Sequence, residues 1–324
     1  MLKRHLPLLS LLLLFLLIFS LLSCSASPVK EGEAVGEDHS YLTFTDDAGV
    51  EISLTEKPET TAVLFSSFAD IYKTVGGEVG ITVGEAIERG FAPEGTPLVD
   101  DGAGKSINEE LLISYAPDLV LCSMDIPAQA ETAEKLNALG IPCAQFRVES
   151  FADYLRVLTV FADITGNPDA VETYGTAVRD QIDALLSSVP TDAAPKKILF
   201  IRAGSTAAAT KAKTAEQHFA AAMLSELHTS NIADNAPLLV DGLSVEEILM
   251  ENPDAIFITT MGNADAAVSY MEELFSEPVW QGLDAVREGN YYFLPKDLFQ
   301  YKPNARWYEA YKTLYDLLYE NTEA

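Results

Sequence analysis

Cysteine, histidine and basic residues are scarce in this sequence. Its 324 residues include three cysteines, four histidines and 21 lysines and arginines, against 49 aspartates and glutamates, for a net charge of −28. A chain this acidic repels nucleic acid and anionic lipid, which excludes both as partners. The few histidines form no cluster with the spacing that zinc or manganese requires, so we predict no metal bound directly by the protein.

The motifs of common enzymes are also absent. No Gly-x-Ser-x-Gly elbow occurs, which removes the usual signature of an α/β hydrolase. Gly104-Lys105-Ser106 resembles the end of a phosphate-binding loop, but Val99 stands where that loop requires a glycine. Acidic residues are numerous, yet none forms a pair distinguishable from a solvated face. We therefore predict no catalytic residue, and keep a surface α/β hydrolase and an adhesion or scaffold lipoprotein as alternatives.

The N-terminus has the pattern of a bacterial lipoprotein signal. A short basic start precedes an apolar run over residues 6–22, and Leu-Leu-Ser leads directly into Cys24. This ending matches the lipobox, in which the cysteine is acylated and becomes the new N-terminus. The run also approaches the lower limit of about 17 residues for a membrane span, but a bare span needs no cysteine at that edge. We predict a signal peptide over residues 1–23 and a flexible tether over residues 24–40, with the lipid as the only membrane contact.

Two cysteines remain for the folded part of the chain. The pattern places Cys122 at the end of one parallel strand and Cys143 near the start of the next. A crossover connection returns the chain to the opposite edge of the sheet, so the two would lie several residues apart at about 3.3 Å each. That separation exceeds the limit of about 7 Å between the Cα atoms of a disulfide. We predict two buried thiols that act as small apolar side chains.

A weak internal repeat relates the two halves of the chain. Residues 108–122 resemble residues 244–258 at an offset of 136, and the same shift places residues 62–65 on residues 198–201. Each copy has a helix-capping residue, a Pro-Asp pair that closes the helix, and an apolar run typical of a buried strand. Two similar βα lobes in succession explain this pattern.

A predicted helix over residues 167–190 separates the two copies. Asn167 is a suitable cap, Pro168 suits the first helical position, and apolar residues recur on one face. These are Val171, Tyr174, Val178, Leu185 and Val189. The fold class predicted is therefore α/β, with two Rossmann-like lobes over residues 41–166 and 191–324, joined by a single long helix. Before the first lobe, alternation around Asp46 and Gly49 predicts a β-hairpin.

In order and spacing, these features resemble one known family. The lipobox, the hairpin of residues 42–49, the strand and turn of residues 62–68 and the two segments from glutamate to Pro-Asp resemble the helical-backbone (class III) solute-binding lipoproteins of ABC importers. Members of that family capture ferric siderophores, haem or cobalamin. The resemblance implies a ligand cleft between two lobes, a monomer without a cofactor of its own, and an ABC permease with its ATPase as partners. It ranks a ferric siderophore first as ligand, then haem, then cobalamin.

The resemblance also implies a docking role for two carboxylates. In the family, one carboxylate on each lobe contacts arginines of the permease, and the repeat places Glu110 and Glu246 at these positions. The alternative is that both are first-turn acids favoured by the helix dipole, at about 0.3–1 kcal/mol each. Their recurrence at one offset favours the docking role.

Candidate ligand contacts follow from the rule that open parallel sheets bind ligands beyond the carboxyl ends of their strands. Arg202 is the strongest candidate, because a guanidinium grips carboxylate or catecholate oxygens in a bidentate fork; a surface ion pair is the alternative. Trp307 also lies in this region, but its spacing to later apolar residues favours core packing. Met124 and Met261 follow equivalent strands, where a thioether could ligate haem iron but more often fills space. The predicted contacts are Phe68, Met124, Arg202, Met261, Tyr301, Lys302 and Arg306.

Overall fold

The computed structural model describes residues 40–100 and 106–320. The predicted signal peptide, the tether up to residue 39 and the acylation site Cys24 lie outside the described residues. Among the helices described, none is both long enough and apolar enough to cross a membrane.

A β-hairpin opens the described chain, as predicted. Strands β1 (Leu42–Thr45) and β2 (Glu51–Leu54) pair antiparallel. The buried Asp46 closes the turn, since its Oδ1 accepts hydrogen bonds from the amides of Ala48 and Val50 at 3.0 and 2.8 Å. Its Oδ2 accepts from the Gln145 amide at 2.9 Å. One carboxylate therefore both closes the hairpin and attaches it to a strand of the first sheet.

The N-terminal lobe contains a four-stranded parallel sheet in the order β4-β3-β5-β6. Its strands are buried on both faces, which explains why they are continuous apolar runs in the sequence. The strands are β3 (Thr61–Val63), β4 (Val79–Thr82), β5 (Leu119–Ser123) and β6 (Cys143–Phe146). The helices are α1 (Ser66–Thr74), α2 (Gly84–Glu88), α3 (Glu109–Ser114), α4 (Pro127–Ala138) and α5 (Phe151–Thr165).

The connection between the lobes is helical from end to end. It consists of α6 (Asp169–Val171), a π-helical turn (Glu172–Thr176) and α7 (Ala177–Ser187). The π turn inserts one extra residue, which rotates Tyr174 out to 38% exposure although the periodicity predicts it on the apolar face. Gly175 takes the inward position, where a Cβ would lie only 2.5 Å from Cδ1 of Leu155. Close approach of this helix to α5 therefore requires a glycine.

The C-terminal lobe repeats the strand order of the first lobe. Its parallel strands run β9-β7-β10-β11, and β8 adds a short antiparallel pairing to β7. The strands are β7 (Lys196–Ala203), β8 (Lys211–Ala212), β9 (Thr229–Asn231), β10 (Ala255–Thr260) and β11 (Tyr291–Phe293). The helices are α8 (Phe219–Glu226), α9 (Pro237–Asp241), α10 (Val245–Glu251), α11 (Ala264–Ser276), α12 (Asp284–Arg287), α13 (Lys296–Phe299) and α14 (Trp307–Tyr315).

The two-lobed α/β architecture with parallel sheets is thus confirmed, and the repeat is visible in the backbone. Ala116 and Asn252, which are 136 positions apart, both adopt a left-handed conformation just before a Pro-Asp pair, at φ of 48° and 41°. The repeat offset of 136 does not hold for the first strand of each lobe, where the pairing is shifted by one residue. Leu119 pairs with Thr61, whereas its counterpart Ala255 pairs with Ile198. The apolar runs alone could not fix this register, because both faces of the strands are buried.

The predicted separation of the two cysteines is wrong. Cys143 lies opposite Val120, two residues from Cys122, and the two sulfur atoms are 3.8 Å apart. Helix α4 returns the chain far enough for β6 to begin beside the middle of β5. Both thiols are free and fully buried, as predicted, and the contact with Cys122 together with burial raises the pKa of Cys143.

A shared apolar core joins the lobes. One continuous cluster includes Phe68 and Phe161 of the first lobe, Phe200 and Phe257 of the second, and Trp307 of the last helix. Each lobe has a further cluster of its own on the opposite face of its sheet. The lobes therefore meet over packed side chains, which limits their relative motion.

Candidate functional site

The carboxyl ends of the strands in both lobes define the candidate site. Strand β3 leads into Ser66 and Ser67, β5 into Met124, β7 ends on Arg202 and Ala203, and β10 leads into Met261. The amide of Met124 bonds to Phe146 O at 3.1 Å, and that of Met261 bonds to Ala203 O at 2.8 Å. Both methionines are partly buried.

Phe68 lies in the core instead of on the surface of the cleft. It is 1% exposed, and its ring makes edge contacts with Phe65, Phe146 and Phe161 at centroid distances of 5.0, 6.2 and 6.2 Å. Its role is to position the first turn of α1 by packing. We leave it out of the proposed ligand contacts.

Arg89 and Tyr301 bring the two lobes together. The guanidinium carbon of Arg89 lies 3.9 Å from the ring centroid of Tyr301 and 4.7 Å from that of Phe91. Arg89 Nη1 donates to Ser66 Oγ at 3.0 Å, and Ser66 Oγ donates to Glu85 Oε2 at 2.5 Å. Burial lowers the pKa of Arg89, opposed by Glu85. Arg89 ends a short helix away from any strand, so no sequence signal identifies it.

Asn304 makes a second contact between the lobes. It is 1% exposed, its φ is 51°, and it begins the short turn that precedes α14. Its Nδ2 donates to Ser67 O at 3.0 Å and to Asp70 Oδ2 at 2.8 Å. Burial raises the pKa of Asp70, and the hydrogen bond from Asn304 opposes that rise. Asparagine tolerates the left-handed conformation that this position requires.

Lys302 and Trp307 each contact residues of both lobes, which gives a third connection between the lobes. Lys302 Nζ lies 2.9 Å from Glu149 Oε2 in the first lobe and 4.6 Å from the centroid of Phe219 in the second. Trp307 is 1% exposed and packs edge-on against Phe151 and Phe219 at 6.3 and 5.6 Å. The preference for core packing at Trp307 is confirmed, and its ring lies between aromatic groups of both lobes.

Arg306 is held by neighbouring carboxylates. Its Nη1 lies 2.6 Å from Asp297 Oδ2, and its Nε lies 2.7 Å from Glu309 Oε2, with the side chain 47% exposed. The hydrogen bonds that it donates to Glu309 and Asp297 raise its pKa further. Because this guanidinium is already paired at the surface, we leave Arg306 out of the proposed ligand contacts.

Arg202 lies among other basic groups at the end of β7. It is the register partner of Lys211 on β8, and its Nε has no hydrogen-bond partner among the described residues. Below it, the buried His218 lies 4.8 Å from the Phe200 centroid and accepts a hydrogen bond from the Ala220 amide at 3.2 Å. Burial, and then nearby cations, lower the pKa of His218 to about 3, so the imidazole is neutral.

The two predicted docking carboxylates are both exposed. Glu110 and Glu246 lie in the first turns of α3 and α10, and neither forms an ion pair within residues 40–100 and 106–320. The adjacent Glu109 differs, because its carboxylate is 2.9 Å from Lys135 Nζ. In each lobe, one glutamate of the first turn is therefore available to a partner.

Two other features of the described residues, a hollow in the first lobe and the arrangement of possible metal ligands, do not suggest a site. A hollow of about 460 Å³ on the flank of the first lobe is lined by Lys73, Glu78 and Phe91 among others, and Lys73 Nζ there donates to Gly90 O at 2.8 Å. No three histidine, cysteine, aspartate or glutamate side chains of the described chain are grouped as a metal site would require.

The sequence matches a known protein family, and the fold matches solved structures. Residues 53–298 match the family described as periplasmic binding protein. Staphylococcus aureus SirA, complexed with staphyloferrin B, is 19% identical with a TM-score of 0.63; the match covers 86% of this chain and 97% of SirA. The haem-binding RhuT of Roseiflexus sp. RS-1 is 18% identical at a TM-score of 0.65, with 81% and 98% covered. The vitamin B12-binding BtuF of Vibrio cholerae is 16% identical at 0.65, with 83% and 99% covered. No curated protein matches the chain.

Proposed function

Because this chain belongs to the periplasmic binding protein family, we propose that it captures a ferric siderophore or a related iron complex and delivers it to an ABC permease. The family consists of binding proteins, and we propose that this member performs no chemistry of its own. Its solved relatives at this level of identity share the fold. SirA is complexed with staphyloferrin B, and the siderophore-binding protein BauB is bound to a complex of acinetobactin and ferric iron.

The observation that carries the proposal is the composition of the region between the lobes. Tyr301 and Lys302 come from the second lobe and Arg89 from the first, which gives cations and aromatic faces together. Arg202 adds a further cation at the carboxyl end of β7. Cationic forks and aromatic faces suit a chelate whose outer atoms are oxygens and aromatic rings. The three contacts made by Tyr301, Lys302 and Asn304 also bring the two lobes close enough to hold one ligand from both sides.

Haem is the second candidate, and cobalamin the third. Met124 and Met261 follow strands at the site, where a thioether could approach a haem iron. RhuT and BtuF share the fold and bind haem and vitamin B12.

Fluorescence of the two tryptophans tests the proposal. Trp307 packs between the lobes, while Trp280 is buried in the separate core cluster of the second lobe. In a Trp280→Phe variant, titration with ferric siderophores, haem and cobalamin should quench the fluorescence of Trp307. The remaining fluorescence of a Trp307→Phe variant should change far less. Folded protein that responds to no member of the panel would overturn the proposal.

We also propose that the chain is a monomer held at the outer face of the membrane by a lipid on Cys24. The lipid attachment is supported by the sequence Leu-Leu-Ser-Cys at the end of an apolar run. Fractionation of cells that express a Cys24→Ala variant should find the protein outside the membrane fraction. Unchanged attachment of that variant would instead support a membrane span over residues 6–22.

A further inference from the structure

A small apolar hollow opens on the second lobe beside Glu246. Its volume is about 270 Å³, and Val245, the residue before Glu246 in the chain, forms part of its lining together with Leu274. Trp280 in the lining is 2% exposed, whereas the adjacent Val279 is 39% exposed. Pockets for small-molecule ligands usually measure about 300–1,000 Å³, so this hollow is better suited to a single apolar side chain of a partner protein.

The first lobe closes the equivalent place with polar contacts. The carboxylate of Glu109 on α3 accepts hydrogen bonds from Thr132 Oγ1 at 3.0 Å and from Lys135 Nζ at 2.9 Å, and both donors lie on α4. At the repeat offset of 136, the counterparts of these three residues are Val245, Val268 and Met271. The two side chains on α11 offer no hydrogen-bond donor, so no such bridge joins α10 to α11.

Three carboxylates lie in or beside the hollow. Glu277 belongs to the lining, and Glu246 follows Val245 on α10. Tyr270 is also in the lining; burial raises its pKa, and the neighbouring Glu277 and Glu273 raise it further. None of the three glutamates forms an ion pair with another residue of the described chain. An apolar lining with an acidic rim is complementary to an apolar side chain that is flanked by lysine or arginine.

We propose that this hollow receives an apolar side chain of the ABC permease, from the loop whose basic residues contact Glu246. The inference rests on the proposed function and deepens its account of the partner. Continuity with Glu246 and the acidic rim support this occupant. A second copy of the chain is disfavoured, because its net charge of −28 would bring two acidic surfaces together. The second lobe therefore contributes an apolar anchor where the first lobe has an internal ion pair.

Photo-crosslinking in cells identifies the occupant. Benzoylphenylalanine replaces Val279 in the full chain, and in a control it replaces Leu139, which is 64% exposed in the first lobe and lies outside the hollow. Mass spectrometry of the adduct at position 279 should identify the membrane-spanning subunit of an ABC importer, and position 139 should give none. Glu246→Lys in the same chain should reduce the adduct about 10-fold, because it repels the basic loop. An adduct with another copy or a different protein, or no adduct, overturns the inference.

A neutral substitution measures the strength of the apolar contact. In Val279→Asn, docking buries an amide in the hollow without a hydrogen-bond partner, so affinity for the purified permease and ATPase should fall about 10–100-fold. Leu139→Asn is the matched control and should bind like the wild type. The loss in Val279→Asn should persist at high salt, whereas the loss in Glu246→Gln should shrink. Equal affinities of Val279→Asn and the wild type would overturn the inference.

Ligand binding separates this inference from the proposed cargo. Quenching of Trp307 by the ligand panel should be the same in Val279→Asn and the wild type, and thermal unfolding should show that the variant is folded, since Val279 is partly exposed. If the permease adduct forms but the folded wild type binds no compound of the panel, the proposed cargo fails and the docking hollow stands. If a compound binds but the adduct at position 279 does not form, the docking inference fails and the proposed cargo stands.

Discussion

The two lobes have the same strand order but different groups at the ends of their strands. In the first lobe, Ser66 and Arg89 are linked to the carboxylate of Glu85, so positive charge there is balanced locally. In the second lobe, Arg202 and Lys213 have no carboxylate partner among the described residues. The two lobes therefore share the residues that their backbone needs, while the charged groups at the ends of their strands differ.

The backbone requirement that both lobes share is visible at the Pro-Asp pairs. Asp118 Oδ2 accepts hydrogen bonds from the amides of Glu59 and Thr60, at 3.0 and 2.8 Å. Asp254 Oδ2 accepts one from the Lys197 amide at 2.8 Å. Each aspartate thus caps the start of the neighbouring strand, which explains why the Pro-Asp pair recurs although the residues around it have diverged.

The strongest test of the comparison is charge reversal at the docking glutamates. If Glu110 and Glu246 act as an equivalent pair, the double variant Glu110→Lys/Glu246→Lys should reduce ligand uptake by cells to background, because both contacts with permease arginines become repulsive. Ligand affinity of the purified protein should not change. Reversal of Glu109 and Glu251, which already pair with lysines, is the matched control. Altered affinity in the double variant would show that these residues serve the ligand instead.

His218 makes the second lobe sensitive to acid. Its pKa of about 3 in the folded protein is below the usual 6.5, so the unfolded chain binds a proton that the folded chain does not. Stability that is present above pH 6.5 is therefore lost as the pH falls towards 3, by up to about 4–5 kcal/mol. The difference in unfolding free energy between pH 7 and pH 4.5 should be smaller in His218→Asn, which keeps a side-chain cap on α8. An equal difference in both proteins would show that other groups control the acid response.

Asn304 tests how firmly the lobes are joined. Asn304→Gly removes both hydrogen bonds to the first lobe while tolerating the positive φ, and should cost about 2 kcal/mol in chemical denaturation. Asn304→Ala loses the same bonds and adds about 1 kcal/mol of backbone strain. An unchanged unfolding midpoint in both variants would contradict this expectation. It would show that these hydrogen bonds do not hold the lobes together.

The smallest expected effect is a difference in stability between variants of Asp118 and Asp254. Asp118→Ala removes an acceptor of two amides and Asp254→Ala an acceptor of one, at about 0.5–1.5 kcal/mol for each hydrogen bond. Denaturant titration should therefore find the first variant less stable than the second by about 1 kcal/mol. Equal losses of stability would mean that, in Asp118→Ala, one of the amides of Glu59 and Thr60 bonds to another acceptor, such as water.

Much of the architecture could be predicted because its signals are local. The hairpin depends on Asp46 and Gly49, and the repeat depends on Pro-Asp pairs whose aspartates bond to the start of the neighbouring strand. Arg202 could be proposed because it directly follows a recognisable apolar run. The π turn at residues 172–176 and the contact between Cys122 and Cys143 could not, since neither a one-residue insertion in a helix nor the starting point of β6 leaves a periodic mark.

By itself, the sequence determined the order of the elements, the relation between the lobes and the acidic character of the surface. These properties follow from periodicity, capping residues and charge, which act over a few neighbouring positions. Only the tertiary structure decided which charged groups meet. It placed Arg89 against Tyr301, buried Asn304 beside Asp70, paired Arg306 with carboxylates and left Arg202 beside Lys213 without any among the described residues. Such contacts join positions far apart in the chain, so their energies depend on the packing of the two lobes.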